Sequence, residues 1–309
     1  MLYRTLGSTN LTVSVIGLGT WQYGGEWGIT YTNSDVAAIV NKAEELGVNF
    51  VDTAECYGAH KSEELVGNAI KGNRSRWILA TKFGHHFHSY MNRSRCFATT
   101  DVVRQLEDSL KALQTDYVDI YQCHSATDEE FATTGLWEML QREVEKGKIR
   151  HLGISISKNR NMIQTGMATA VKAQVLQVVY NRLDKGAEEE VFASCKQQNL
   201  GVIARVPLAS GYLTGKYKPG AQFAAGDVRS THNPNEVMKK LKDVEIIIAN
   251  EVPQGISLSQ WALAWCLKHP VVSIAIPGSK TPEQLIQNVT AIDLLTNDHP
   301  LATAAPDIR

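Results

Sequence analysis

The chain has 309 residues, with 31 Lys plus Arg against 32 Asp plus Glu and a formal net charge of -1, so it lacks a field broad enough to gather nucleic acid or anionic membrane over its whole surface. Any anion site must be local. Five scattered cysteines, Cys56, Cys96, Cys123, Cys195 and Cys266, form no C-x-x-C pair, which argues against a disulfide framework or structural zinc and favours a reducing, cytoplasmic setting.

In chain order, residues 1–7 lack the cationic start and apolar core of a signal peptide, and no later apolar run approaches the ~20 residues needed to span a bilayer. Residues 3–11 carry a Gly-Ser-Thr-Asn turn signal and are expected to form a small hairpin at the floor of the fold. Strand-like segments follow at 13–18, 50–53, 78–82, 118–124, 151–155, 175–180, 202–206 and 272–276. They are short, β-branched and nearly continuously apolar, as parallel strands covered on both faces should be. Between them lie segments with helical spacing, such as Val36, Ile39, Val40, Ala43 and Leu46, or Val103, Leu106, Leu110 and Leu113.

Eight such units predict a single α/β domain over 1–309, a (β/α)8 TIM barrel with an N-terminal β-hairpin and extra C-terminal helices, one of them at 257–268. Gly17-Leu18-Gly19 begins like a dinucleotide fingerprint. It lacks the third glycine, and a loop through Gly24, Gly25, Trp27 and Gly28 stands where the fingerprint needs a helix, so the Rossmann reading is rejected. Two connections, 84–99 and 208–234, are longer than a barrel requires, and 297–309 reads as a polar tail.

Three strands end in polar side chains: Asp52, Lys82 and His124. Side chains alternate along a strand, so each shares a face with apolar neighbours: Phe50 with Asp52, Ile78 and Ala80 with Lys82, Ile120 and Gln122 with His124. If those faces point inward, the three groups meet at the C-terminal rim, where barrel active sites form. Tyr57, in the loop after the second strand, can hang over the same spot. A phenol titrates near ~10, and an ammonium at ~4 Å can lower that by about 3 units at an effective dielectric of ~20. Lys82 is thus expected to tune Tyr57, with Asp52 keeping Lys82 charged and oriented and His124 placing the reacting oxygen. The competing reading is a barrel-top salt bridge with a packing tyrosine.

The segments Arg4-Thr5-Leu6-Gly7, Gly17-Leu18-Gly19-Thr20-Trp21, Asp52-Thr53-Ala54 with Tyr57-Gly58, Thr81-Lys82, Tyr121-Gln122-Cys123-His124 and Ile276-Pro277-Gly278-Ser279 together resemble the aldo-keto reductases of bacterial type, over nearly the whole chain. That resemblance implies an NADP-dependent oxidoreductase that reduces aldehydes or ketones to alcohols, with Asp52, Tyr57, Lys82 and His124 as its catalytic residues and Tyr57 as proton donor. It places Thr20, Trp21 and Asp52 among the residues that bind NADPH, Ser155 and Gln177 against the nicotinamide amide, Arg205, Val206, Pro207 and Leu208 along the cofactor, and Lys216 at its phosphates. Ile156 stands where relatives often carry an Asn, and Arg205 where an aromatic ring commonly stacks. Gly278, Ser279 and Lys280 precede a helix start capped by Thr281 and Gln284. A helix start presents free N–H groups to an anion, and the site suits the 2′-phosphate of NADPH, with Gln284 and Asn288 near the adenosine. An ordinary helix start is the alternative. Gln284 replaces an arginine of many relatives, which weakens the preference for NADPH over NADH.

His85, His86 and His88 do not share a helical face and have no acidic neighbour in sequence, so they are assigned to the substrate mouth rather than to a metal. Trp21, Tyr23 and Trp27 can form an apolar wall for a carbonyl substrate. Cys123 is expected to turn away from the pocket, and Cys56 to be accessible. The rival function class is a nucleotide-binding regulatory subunit on a similar barrel, like the potassium-channel β subunits. A metal-dependent barrel hydrolase ranks third.

Overall fold

A computed structural model describes residues 1–157, 160–295 and 301–303, and among them eight parallel strands form one curled sheet. The strands are Leu18–Gly19, Phe50–Asp52, Ile78–Phe83, Val118–His124, Ile149–Ser155, Ala173–Val179, Gly201–Arg205 and Val272–Ala275. Each pairs in parallel with the next in chain order. The last segment then returns to the first: the Gly17 amide donates to the Ala275 carbonyl (2.9 Å), the Ala275 amide to Val15 (3.0 Å) and the Gly19 amide to Pro277 (3.1 Å). The sheet is thereby closed into a (β/α)8 barrel. The seam is tight, since a Cβ on Gly19 would lie 2.6 Å from the Ile276 carbonyl oxygen. Gly19 therefore serves barrel closure, not a phosphate-binding turn.

The expected strand at 13–18 is two pieces. Thr12–Ser14 pairs antiparallel with Tyr3–Thr5 in the N-terminal hairpin, and only Leu18–Gly19 enters the barrel. The apolar run hides this division because it serves two layers: Val13 packs inside the barrel, whereas Val15, Ile16 and Leu18 pack between barrel and helices. Inside, Leu6 and Val13 from the hairpin are fully buried against Phe50, Ala80, Ile120, Val175, Ile203 and Ile274, closing the floor. Outside, Val36, Ile39, Val40 and Ala43 of helix Asn33–Glu45 and Leu106, Leu110 and Leu113 of helix Thr99–Leu113 cover the same layer as Val51, Leu79 and Tyr121. Each such buried side chain stabilises the fold by about 1.5–3 kcal/mol.

The long connection at 84–99 is not an irregular loop. It folds into an antiparallel hairpin, His85–Ser89 with Asn92–Arg95. The connection at 208–234 carries short 3-10 turns at Ala209–Thr214 and Val228–Thr231. Helices Pro234–Asn250 and Leu258–Lys268 follow, the second capped by Ser257, whose hydroxyl accepts the Gln260 amide hydrogen bond at 3.3 Å. Most of the tail expected at 297–309 lies outside the described residues, but Ala302–Thr303 pairs antiparallel with Tyr3–Thr5 as a third strand of the hairpin sheet. Among the described residues, no helix is long and apolar enough to cross a membrane.

Candidate active site

Inside the barrel, Phe50, Ala80, Ile120 and Val175 form one apolar layer, so the residues two positions on, Asp52, Lys82, Gln122 and Gln177, occupy the next layer towards the C-terminal rim. Lys82 is fully buried. Its Nζ donates to Asp52 Oδ1 at 2.6 Å, to the Thr53 carbonyl at 2.6 Å and to the Tyr57 hydroxyl at 3.4 Å. Asp52 Oδ2 accepts from Gln122 Nε2 at 3.0 Å and from Gln177 Nε2 at 2.7 Å. Both charges are thus paired and hydrogen-bonded, which is what makes ionic groups tolerable at this depth. Burial works against the Lys82 ammonium, but Asp52 and Tyr57 outweigh it and hold its pKa above the ordinary lysine value. Lys82 is a fixed cation.

Tyr57 is placed by the pressing together of the first two loops at the rim. A Cβ on Gly24 would lie 2.6 Å from the Tyr57 carbonyl carbon, and one on Gly58, at φ +68, would lie 2.5 Å from the Gly24 oxygen. Only glycine permits this approach. Trp21 stacks on the Tyr57 ring, with centroids 6.1 Å apart, and His124 meets it edge-on at 6.2 Å. The expected lowering of the phenol is not what the geometry produces. Burial dominates and pushes Tyr57 up to about 12, while Lys82 pulls in the opposite direction. The hydroxyl keeps its proton at neutral pH. Burial, then Lys82 and His85, hold His124 well below the usual histidine range, so its ring is neutral.

A cavity of about 510 Å³ opens over this layer and runs to the start of helix Pro282–Val289. Of the residues expected on it, Thr20, Trp21, Asp52, Tyr57, His124, Gln177, Arg205, Val206, Pro207, Leu208, Lys216, Gly278, Lys280, Gln284 and Asn288 line it. Others sit behind the wall. Lys82 reaches it only through Tyr57 and Asp52. Ser155 is buried, and its hydroxyl donates to Gln177 Oε1 at 3.3 Å, while the Gln177 amide nitrogen is committed to Asp52. Ser279 is also buried, accepting from Asn288 Nδ2 at 3.1 Å. Trp27 lines the cavity with Trp21, but Tyr23 is buried against Tyr31 and forms no part of the wall. Cys56 is fully buried, contrary to the expected access, because the turn between Ala54 and Tyr57 folds it under the rim. Cys123 packs in the outer layer as its parity requires.

At the far end, Thr281 caps the helix by accepting from the Gln284 amide at 3.3 Å, and the Gln284 side chain accepts from the Lys280 amide at 2.9 Å. The Lys280 ammonium is half-buried, and burial followed by Arg229 lowers its pKa. Midway, Arg205 Nη2 donates to the Ile156 carbonyl at 3.1 Å, but its buried Nε finds no partner among the described residues. A buried guanidinium hydrogen left over at a cavity wall is a donor set for an acceptor inside it.

The Aldo/keto reductase family model matches residues 15–303. The chain belongs to this family. An aldo-keto reductase of Bacillus subtilis strain 168, YhdN, is 32% identical over 96% of this chain and 91% of its own length. A probable voltage-gated potassium channel subunit beta of Oryza sativa subsp. japonica is 29% identical, over 96% and 92%. Among solved structures, the holo form of aldo-keto reductase AKR11C1 from Bacillus halodurans superposes with a TM-score of 0.79 at 27% identity, covering 100% of this chain and 99% of that one. Aldo-keto reductases are oxidoreductases that use nicotinamide cofactors and act on small carbonyl compounds.

Several lining residues of this aldo-keto reductase were not legible from its motifs. Arg93 reaches the cavity from the hairpin at 85–95 and is held there by Glu26, with Nη2 at 2.6 Å from Oε1. Glu26 also accepts from the Trp21 indole. Arg229, chelated by Asp227 through Nε at 2.9 Å and Nη2 at 2.5 Å, packs on Tyr217 beside Lys280. No periodicity marks such loop residues, and only the unusual length of the two connections pointed towards them.

Proposed function

We propose that this aldo-keto reductase reduces aldehyde and ketone carbonyls to alcohols at the expense of NADPH, with Tyr57 donating the proton. The observation that carries this reading is the Lys82 ammonium, fully buried between Asp52 and the Tyr57 hydroxyl at the base of the cavity. The residues along the cavity fit a nicotinamide dinucleotide: an unpartnered buried Arg205 Nε midway and, at the end, a capped helix start flanked by Lys280. When bound, the reduced nicotinamide supplies the hydride for the carbonyl carbon. Lys280, with Arg229 nearby, favours the additional phosphate of NADPH over NADH.

The chain's own residues do the rest. A carbonyl oxygen gains negative charge as its carbon is reduced, and Tyr57, protonated at neutral pH, hands that oxygen a proton. The phenolate left behind faces Lys82, which stabilises it without moving. Asp52 fixes the ammonium, and Gln122 and Gln177 fix Asp52. His124 is neutral, so it orients the carbonyl oxygen by a hydrogen bond and adds no second charge. Trp21 and Trp27 wall the site against water.

Replacing Tyr57 by Phe removes one hydroxyl and keeps the ring packed on Trp21. Loss of the acid lowers the rate of carbonyl reduction by about 10²–10⁴-fold, while NADPH binding, read by quenching of cofactor fluorescence, is preserved. A Tyr57→Phe protein that turns over aldehydes at the wild-type rate removes the proposal. Similarity to a channel β subunit supports a second reading, nucleotide binding with little turnover. A panel of aldehydes separates the two, because a binder quenches NADPH fluorescence without oxidising it.

A further inference from the structure

Beside the His124 ring lie three side chains that the reaction does not use. Glu55 and Cys56 come from the loop after the second strand, and His85 opens the hairpin after the third. With His124 they bring a carboxylate oxygen, a thiol sulfur and two imidazole nitrogens within 4.8 Å of one another. Cys56 Sγ is 3.7 Å from His124 Nδ1, Glu55 Oε2 is 4.0 Å from the same nitrogen, and Glu55 Oε1 is 3.8 Å from His85 Nδ1. Sequence alone separates these residues by up to 69 positions, which is why the three clustered histidines suggested no acidic partner.

Two features set this cluster apart from ordinary packing. Glu55 Oε2 and His85 Nδ1 are both buried and have no hydrogen-bond partner among the described residues. Stranding a carboxylate oxygen and a ring nitrogen within one buried cluster is costly, and a cation bound at its centre relieves both. The Glu55 carboxylate is already aimed, because its other oxygen accepts the His85 amide at 2.9 Å.

We propose that Glu55, Cys56, His85 and His124 bind a zinc-like divalent metal ion, and that occupancy inhibits carbonyl reduction by drawing His124 out of position. One thiolate, one carboxylate and two neutral imidazoles are a donor set for Zn2+, and the two anions neutralise its charge. Ligands about 2.0–2.3 Å from a tetrahedral ion stand roughly 3.3–3.7 Å apart, so donor atoms lying within 4.8 Å of one another close by about 1.5 Å at most and the pairs at 3.7–4.0 Å by less than about 1 Å. Of the cations among the described residues that act on the cluster, Lys82, Arg93 and Arg95 are each matched by a carboxylate, Asp52, Glu26 and Glu130, and Arg205 alone is not. The side chains of His85 and His124 retain 13% and 14% exposure, which gives an ion a route from the cavity. The inhibitory part rests on the role given to His124 above, whereas metal binding does not.

Equilibrium dialysis of the full-length protein against Zn2+ tests the binding directly. The expected result is one ion per chain at micromolar free metal, weakened more than about 100-fold in Cys56→Ser and in His85→Ala, both confirmed folded by circular dichroism. His86→Ala with His88→Ala, on the exposed face of the hairpin, leaves binding unchanged. Co2+ substitution gives a thiolate charge-transfer band in the wild type that is absent from Cys56→Ser. Aldehyde reduction by the wild type falls at least tenfold over the same Zn2+ range, and the Cys56→Ser enzyme keeps its rate. Absence of stoichiometric binding, or binding that survives Cys56→Ser and His85→Ala but is lost with His86 and His88, overturns the site. Binding as described with an undiminished rate overturns the inhibition alone.

Discussion

Exchanging Lys82 for methionine removes the ammonium and keeps nearly the same side-chain length. The Lys82 nitrogen stands 3.4 Å from the Tyr57 oxygen, so at an effective dielectric of ~20 its attraction for a phenolate is about 5 kcal/mol. Asp52, bonded to the same ammonium at 2.6 Å, lies no more than about 6 Å from the phenolate oxygen and repels it by about 3 kcal/mol, leaving a net attraction of the pair of about 2 kcal/mol, which is what is lost once the unpaired Asp52 takes up a proton. At 1.36 kcal/mol per factor of ten, the rate of carbonyl reduction should fall by about 30-fold. Stability falls as well, because the substitution strands a buried carboxylate at a cost of about 3–5 kcal/mol. The double change Lys82→Met with Asp52→Asn separates the two effects. It restores most of the stability, since Gln122 and Gln177 can still bond an amide, and it does not restore the rate. Thermal unfolding reads the first quantity and NADPH oxidation under saturating aldehyde the second. A folded Lys82→Met enzyme within about threefold of the wild-type rate would refute the reasoning.

Other outcomes follow from the same geometry. With Tyr57 at about 12, the acid form is fully present below that value, so kcat for reduction should be level from about pH 6 to 9. Alcohol oxidation needs the phenolate and should rise about tenfold per pH unit over that range, and a flat oxidation profile would contradict the assignment. Lys280→Met should raise KM for NADPH by tenfold or more and leave KM for NADH within about twofold, measured side by side. Leu6→Ala opens a hole in the closed floor and should cost about 2–5 kcal/mol in urea unfolding while leaving KM unchanged.

Strand parity carried far because the barrel interior is built in layers, and Phe50, Ala80 and Ile120 fixed the facing of Asp52, Lys82 and Gln122 without reference to any loop. Seven of the eight strand segments appear within a few residues of their expected positions. The exception, 13–18, failed where one apolar run crosses from floor to wall. What parity cannot reach is the loops. Cys56 was expected to be reachable from the pocket because it abuts Tyr57, yet a tight turn separates the two environments. Tyr57 itself was judged by its partner cation alone, and the depth of burial that reverses the shift depends on the first loop, which no strand pattern describes. Gln177 illustrates a third limit. Its inward facing was legible, but its bond to Asp52 spans 125 positions.

The hairpin at 85–95 is tethered to the rim through Arg93 and Glu26, and Glu26 in turn steadies Trp21 against Tyr57. This arch shares no side-chain layer with the barrel interior, so its tip can lengthen, shorten or change chemistry while the redox machinery beneath stays as it is. Variation in this arch, in nature or by laboratory selection, can therefore be confined to residues 86–92, with Arg93, which reaches the cavity, and Glu26 kept as the hinge pin.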